Sequence, residues 1–420
     1  MGVVASWRSF GWPSRLLMIN QFGINLGFYM LMPYLAGYLA GPLGLAAWAV
    51  GLVLGVRNFS QQGMFIVGGT LADRLGCKPL IVAGCLLRTA GFGLLVFAQS
   101  LPMVLIASAA TGFAGALFNP AVRAYLAADA GGRRVEAFAV FNVFYQAGIL
   151  AGPLVGLVFM AVDFRFVAAA AALVFGVLTV AQLFALPARE CGPAEAATTI
   201  VQDWRSVLAN RSFLLFAAAM TGSYVLSFQV YLALPLQAGQ IVPQPASILV
   251  AAVFVVSGAV AVFGQLRITR WCAVRWSAAR SLTVGLLVMS LAFVPLIAVP
   301  SPAPWGTAAA AAALLIAAAL LALGSAAVFP FEMDTVVGLA RNRLVATHYG
   351  FYNTIVGTGI LLGNLATGTL IQVAERLGAH QLTWAVLGLI GLGSAYALHR
   401  LERSGRLQVP AEPVLHESVT

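Results

Sequence analysis

The sequence predicts an all-α polytopic membrane protein, twelve transmembrane helices in two six-helix bundles related by pseudo-twofold symmetry. Three observations predict it. Apolar residues make up 61% of the 420 positions and charged residues 9%, where soluble domains have roughly 45–50% and about 25%. The apolar residues fall in runs of about 20 or more, the length that crosses a bilayer as a helix. The two halves of the chain also resemble each other at a constant shift of 211 residues.

Runs bounded by charge, Pro or Gly place the first six helices at roughly 16–40, 48–70, 79–98, 103–127, 137–161 and 166–187. The second six fall at roughly 212–238, 246–266, 280–299, 305–337, 345–372 and 381–400. Backbone groups in lipid must satisfy their own hydrogen bonds, so these runs are helices. No short alternating segments of a β-barrel occur. The first run reaches Leu39 from Arg15, too long for a signal-peptide core and without a cleavage site, so it is a retained first helix.

The longest polar stretch, ARECGPAEAATTIVQDWRSVLANR at 188–211, splits the helices six and six. The predicted organisation is a bundle over 1–187, a cytoplasmic central loop over 188–211, a second bundle over 212–403 and a disordered cytoplasmic tail over 404–420. Trp204, Val207 and Leu208 give the second half of the loop an apolar side that would lie along the membrane surface.

The net charge of +10 does not indicate nucleic acid, because the basic residues are scattered in ones to fours between apolar runs. With the N-terminus in the cytoplasm, 18 of the 23 basic residues fall on the cytoplasmic side and only Arg165 and Arg376 outside. Positive charge retained inside orients the chain N-in and C-in. Arg57, Arg88 and Arg123 lie within spans. Arginine outnumbers lysine 22 to 1, a codon bias of high-GC bacteria, so the expected location is a bacterial inner membrane. Cys77, Cys85, Cys191 and Cys272 show no metal spacing, and free thiols are expected. No metal or cofactor is expected.

The internal repeat aligns AFAVFNVFYQAGILAGPL, ending at Leu154, with HYGFYNTIVGTGILLGNL, ending at Leu365. The shift puts Asn142 on Asn353 and Arg123 on Asp334. Parallel repeats of six helices are common in transporters.

Between the second and third spans stands GGTLADRLGCKP, 68–79, three charges within six residues of one another after a long run with few. Gly69 allows close packing, Asp73 sits near a helix end, Gly76 permits a tight turn, and Arg74 and Lys78 reach carboxylates or lipid phosphates. In the fifth span, Gly148, Gly152 and Gly156 recur every four residues as one smooth face, and Pro153 removes a backbone donor.

These residues carry a family resemblance. Gly69 through Lys78 matches the signature loop G-x-L-A-D-R-x-G-x-K of the major facilitator superfamily. Gly148-x-x-x-Gly152-Pro153-x-x-Gly156 resembles the antiporter motif of its drug:proton antiporter branch. The pattern VRNFSQQG, GGTLADRLG, CLLRTAGFG and LFNPAVRA is similar to MdtH-type multidrug exporters. The resemblance implies that the Asp73 loop acts as a conformational latch, and that the protein exports amphipathic or hydrophobic compounds by proton antiport and alternating access. The chain departs from the pattern at Ser108, where the branch has an arginine, and at Asn20, where it has an acid, both positions tied to proton coupling.

Ionisable residues at bilayer depth point to function by default. Among the spans these are Arg57, Arg88, Arg123, Glu332 and Asp334. Glu332 is the candidate proton carrier, and Asp334 is the candidate gate partner of Arg123. His348, at the start of the eleventh span, reads as an interfacial residue. Asn20, Gln21, Asn25, Tyr29, Gln61, Tyr145, Gln146, Tyr224, Gln229, Tyr231, Tyr352 and Asn353 are candidates to face a substrate cavity, although each taken singly also suits helix packing. The arginines leave an alternative open, an exporter or exchanger of anionic metabolites. No HExxH, GxSxG or P-loop occurs, so an enzyme is not expected. The expected partners are a small-molecule substrate, protons and membrane lipids, with the chain acting as a monomer.

Overall fold

The structure, a computed structural model, describes residues 3–130, 133–188, 200–242, 246–340 and 344–407. Among them there is no β-strand. Twelve spans account for nearly all of the chain. The first is Trp12–Ala40, opened by Pro13 in its first turn, where a missing N–H is harmless. The second is broken into Ala47–Gln62 and Phe65–Leu75. The third to sixth are Cys77–Phe97, Leu101–Ala130, Arg134–Met160 and Phe164–Ala185.

In the second half, the seventh span runs through Arg211–Ser227, a 3₁₀ turn at Phe228–Val230, and Ala233–Ile241. The eighth runs through Ala246–Ala259, a π-helical turn at Val260–Gly264, and Gln265–Arg275. The ninth is Ala278–Leu291 continued by Val294–Ala298. Thr307–Leu339, Val345–Leu377 and Gln381–Arg403 complete the set.

Among the described residues, nine of these elements are long and apolar enough to cross a membrane on length and composition alone. The other three have identifiable reasons for falling short. Asn20, Gln21 and Asn25 dilute the first span, and breaks interrupt the second and eighth.

The repeat seen in the sequence returns as packing. Span 5 lies on span 1 through Gly148 and Gly152, which face Asn25 and Tyr29. Span 11 lies on span 7 through Gly359 and Gly363, which face Thr221 and Val225. These glycines are paired by the 211-residue shift, and their partners keep the same four-residue step. Each half thus buries the same glycine face against its own first helix. The halves meet where span 2 runs along span 11, from Ala47 beside Gly368 to Ile66 beside Gly350. They also meet where span 1 packs on Ala233–Ile241 and span 5 on Ala246–Ala259.

The central stretch contains a short helix, Ile200–Ala209. Trp204 stands edge-on to Phe351 at 5.7 Å, and Val207 is buried. The preceding residues 189–199 and most of the predicted tail, 408–420, lie outside the described residues. Asn210 joins this helix to span 7. Its Oδ1 accepts from the Phe213 N–H, and its Nδ2 donates to the Leu339 carbonyl of span 10.

Two expectations change here. His348 is not interfacial but buried, 5% exposed, with Nδ1 2.9 Å from the Leu344 carbonyl and its ring edge-on to Phe213. Packing of span 11 against span 7 carries it inward. Cys85 and Cys272 are free thiols as expected, but Cys77 is disulfide-bonded; Cys191 lies outside the described residues.

Candidate functional site

Spans 7, 8 and 10 bound one cavity of about 420 Å³. It is bounded by Phe228 and Tyr231 at the 3₁₀ break of span 7, by Ala261 and Gln265 at the π turn of span 8, and by Phe329 and Glu332 either side of Pro330 in span 10. Irregular backbone at membrane depth is tolerated where it lines a cavity or is buried in protein. π turns also cluster at functional sites. Here Tyr231 and Gln265, the residues that end the two interruptions, line the cavity. Ser227 and Ser325 share a hydroxyl contact of 3.1 Å across the cavity wall. Gln265 donates to the Ala326 carbonyl at 2.9 Å and tethers the π segment to span 10.

Glu332 is the acid of this wall. It is 2% exposed, and the hydroxyl of the fully buried Tyr352 donates to its Oε1. Tyr224, a second lining residue, hydrogen-bonds the same carboxyl. Phe216 and Tyr224 pack on Tyr352 at 6.2 and 6.1 Å, which fixes the ring and so the hydroxyl. Tyr29 is the first bundle's contribution to the lining. The Tyr231 hydroxyl lies 3.3 Å from that of Tyr29, so a tyrosine pair bridges the two halves at the cavity.

Of the residues proposed for a cavity, the structure brings Tyr29, Tyr224 and Tyr231 to it. Asn20 and Gln21 are buried in the first bundle. Asn25 donates to the Tyr145 carbonyl at 2.9 Å and joins span 1 to span 5. Gln61 accepts from Arg57. Gln229 is fully buried and donates to the Val225 carbonyl. Asn353 donates to the Tyr349 carbonyl one turn back, and Tyr145 and Gln146 are half-buried. Ser223, Ser227, Ser257, Gln265 and Ser325 line the cavity without having been singled out. A signal existed for part of this set, since Ser223 and Ser227 share one face of span 7 at a four-residue spacing.

The charged residues separate into two groups. Arg57 and Arg88 are buried at 5% and 4% exposure. Arg123 and Asp334 are both exposed and form no ion pair among the described residues, so the expected gate pair is not formed. The bundles are held together along spans 2 and 11, which leaves the ends of spans 4 and 10 carrying these charges open to solvent.

In the loop motif, Gly76 has φ 80° and ψ 163° and serves as the last cap of Phe65–Leu75 and the first of Cys77–Phe97. Only glycine takes that conformation without strain. Asp73 and Arg74 lie in the last turn of the first of these helices and Lys78 in the first turn of the second. The surroundings of Gly69 and the side chains of Asp73 and Arg74 lie outside what the structure describes. In the fifth span the Pro153 carbonyl accepts a 2.5 Å hydrogen bond from Tyr34, and Gly156 faces Met30 and Tyr34.

Comparison with known proteins agrees with this architecture. The model of the Major Facilitator Superfamily matches residues 17–364. An MFS-type transporter of Mycobacterium tuberculosis is 65% identical over 402 residues, covering 96% of each chain. The multidrug resistance protein MdtH of Sodalis glossinidius is 30% identical over 416 residues, covering 99% of this chain and 98% of its own. Among solved structures, the nucleoside transporter NupG superposes with a TM-score of 0.81 at 15% identity over 92% of this chain and 99% of its own. A peptide transporter of the POT family gives 0.75 over 96% and 98% at 15% identity. At that identity the likeness concerns the fold alone.

Proposed function

The chain belongs to the Major Facilitator Superfamily, and from that premise we propose that it exports small amphipathic or hydrophobic compounds by proton antiport and alternating access. It is a transporter and not an enzyme. The bacterial multidrug resistance proteins it is similar to favour drug-like cargo. The observation that carries the reading is Glu332, a carboxyl buried in the wall of an aromatic cavity between the halves, where it is held by tyrosine hydroxyls.

A cavity of this size suits a drug-sized ligand, since such sites run to about 300–1,000 Å³. Aromatic and aliphatic walls accept varied shapes, and the tyrosine and serine hydroxyls set among them offer hydrogen bonds at several points. In the cycle, Glu332 gives up its proton in one state and regains it in the other as the halves rock and its tyrosine partners exchange with water. The Asp73 loop latches one of the two states.

The distribution of arginines supports placing both termini in the cytoplasm of a bacterial inner membrane. The end that carries Arg123 and Asp334 is then the cytoplasmic one, and their exposure matches an inward-facing state. The protein works as a monomer.

The test uses purified protein in liposomes with a trapped pH indicator and an imposed pH gradient. Addition of a lipophilic amine is expected to collapse the gradient in wild type and not in Glu332→Gln, while Glu332→Gln still binds the compound. A pH response that survives the substitution removes Glu332 as carrier. Cargo movement with no pH response in wild type refutes antiport.

A further inference from the structure

The hairpin between spans 8 and 9 takes no part in the cycle just described, yet it gathers four arginines. Arg267, Arg270, Arg275 and Arg280 fall in the stretch LRITRWCAVRWSAAR. Between Asp203 and Glu332 the chain has no acid to set against them. All four are exposed. Among the described residues none of them meets a carboxylate or donates from its guanidinium to a protein group.

Two of these arginines are held in place. The Arg275 guanidinium lies over the Trp271 ring at 5.1 Å, and that of Arg280 over the Trp276 ring at 5.9 Å. The two indoles stand edge to face at 4.6 Å. The four side chains thus form one continuous cluster, a cation at each end and the ring pair between them. Span 9 opens at the same place. Ser277 caps it, and its hydroxyl accepts from the Arg280 N–H at 3.2 Å. The positive end of that helix dipole adds to the arginines. Orienting a span needs only positive charge in its loop, lysine or arginine, seated or free. That need gives no account of two guanidinium forks set on paired rings with their donors unused. Such forks fit the oxygens of a phosphate.

The position selects the source of the phosphate. Only Trp276 and Ser277 separate Gln265–Arg275 from Ala278–Leu291, so the cluster lies at the ends of two spans, at the depth of the headgroups. Tryptophan at that depth keeps its ring in the apolar margin and its N–H in water. The flanks are apolar and open. Val274 is 85% exposed, and Phe263, in the π turn of span 8, is 72% exposed. Acyl chains would cover that surface, whereas a soluble anion would leave it bare. Basic clusters beside a span attract anionic lipid. We propose that this hairpin is a binding site for an anionic phospholipid, its phosphate between Arg275 and Arg280 and its acyl chains along span 8 toward Phe263. The segment so held begins at Gln265, which lines the cavity.

The experiment is native mass spectrometry of the full chain in detergent, with dioleoyl phosphatidylglycerol or dioleoyl phosphatidylcholine added at equal concentration. Wild type is expected to retain phosphatidylglycerol at least about fivefold more than phosphatidylcholine. Arg275→Gln and Arg280→Gln are each expected to cut that retention about fivefold, the effect of one arginine at an anionic surface. Trp271→Leu leaves every charge in place but removes the seat of Arg275, and is expected to cut it about threefold. Arg400→Gln combined with Arg403→Gln, which removes two exposed charges at the end of span 12, is expected to leave it unchanged.

Equal retention of the two lipids by wild type overturns the proposal without any variant. A comparable loss in the span 12 variant also overturns it, since the lipid then follows overall charge and not this hairpin. Unchanged retention in Arg275→Gln and Arg280→Gln places the lipid elsewhere and has the same effect. Displacement of the lipid by millimolar glycerol phosphate would assign the hairpin to a soluble phosphate and overturn the lipid reading.

Discussion

Gly152→Ala tests the packing of the first bundle most directly. A Cβ at this position would stand 2.6 Å from the Cβ of Tyr29, 2.9 Å from its carbonyl carbon and 3.0 Å from the Met30 nitrogen. None of these is the free end of a flexible chain. Carbon atoms in contact lie about 3.5–4.0 Å apart, so spans 1 and 5 must separate by roughly 1 Å. Overpacking of this kind costs about 1–3 kcal/mol. Against it stands the helix preference of alanine over glycine, about 0.5–1 kcal/mol. The expected net loss is about 1–2 kcal/mol. Gly93, inside the third span with nothing within 4 Å of a built Cβ, supplies the control. There the same substitution keeps only the favourable term. The assay is a thermal melt in detergent followed by a thiol-reactive dye, because Cys85 and Cys272 are free and buried at 0% and 2% exposure. Gly152→Ala should melt below wild type and Gly93→Ala at or above it. Equal midpoints for the two variants would refute a close contact of spans 1 and 5 through Gly152. Because Gly152 lies in the stretch that resembles the antiporter motif and its neighbour Tyr29 lines the cavity, the same variant should also slow the proposed export.

Thr354→Val removes a hydroxyl that stands 3.0 Å from the Gly63 carbonyl at the break of span 2 and 3.0 Å from the Gly350 carbonyl of its own helix. The loss of about 1 kcal/mol is expected to shift the balance of the two facing states by about fivefold, read as a changed labelling rate of Ser227→Cys by a membrane-impermeant maleimide. An unchanged rate would mean that this bond does not distinguish the states. Gly76→Ala forces a Cβ into a backbone region with φ 80°, a strain of about 1–3 kcal/mol. The expected outcome is faster tryptic cleavage after Arg74 in inside-out vesicles, and cleavage at the wild-type rate would show that the turn is not under that constraint. Right-side-out vesicles should protect the helix Ile200–Ala209 from protease; cleavage there would reverse the assigned orientation.

The number of spans, their helical form and the pairing of the halves were all legible in the sequence. The physical reason is that lipid makes both hydrogen bonding and polarity local constraints, so each segment declares itself through its own residues. The glycine steps at Gly148 and Gly359 announced the same contact twice because a missing side chain shows its effect along one helix face. Gly76 could be read as a turn for a similar reason, since its freedom belongs to its own backbone.

The site depended on what stands opposite, which spacing along one helix cannot report. Asn20 and Gln21 looked like cavity residues by polarity and were buried instead within the first bundle. The 3₁₀ break at Phe228–Val230 and the π turn at Val260–Gly264 carry no proline, so nothing in the residues marked them, and they decided which side chains line the cavity. Arg123 and Asp334 matched as repeat partners but stood apart, because the relative placement of the halves is a property of the whole assembly. Glu332 was visible as a rare acid at depth, while its tyrosine partners on spans 7 and 11 came from the fold. The sequence by itself determined which charges enter the membrane, because each must be inserted with its own helix. Only the tertiary structure decided which charges share a pocket, because electrostatic partnership is set by distance through space.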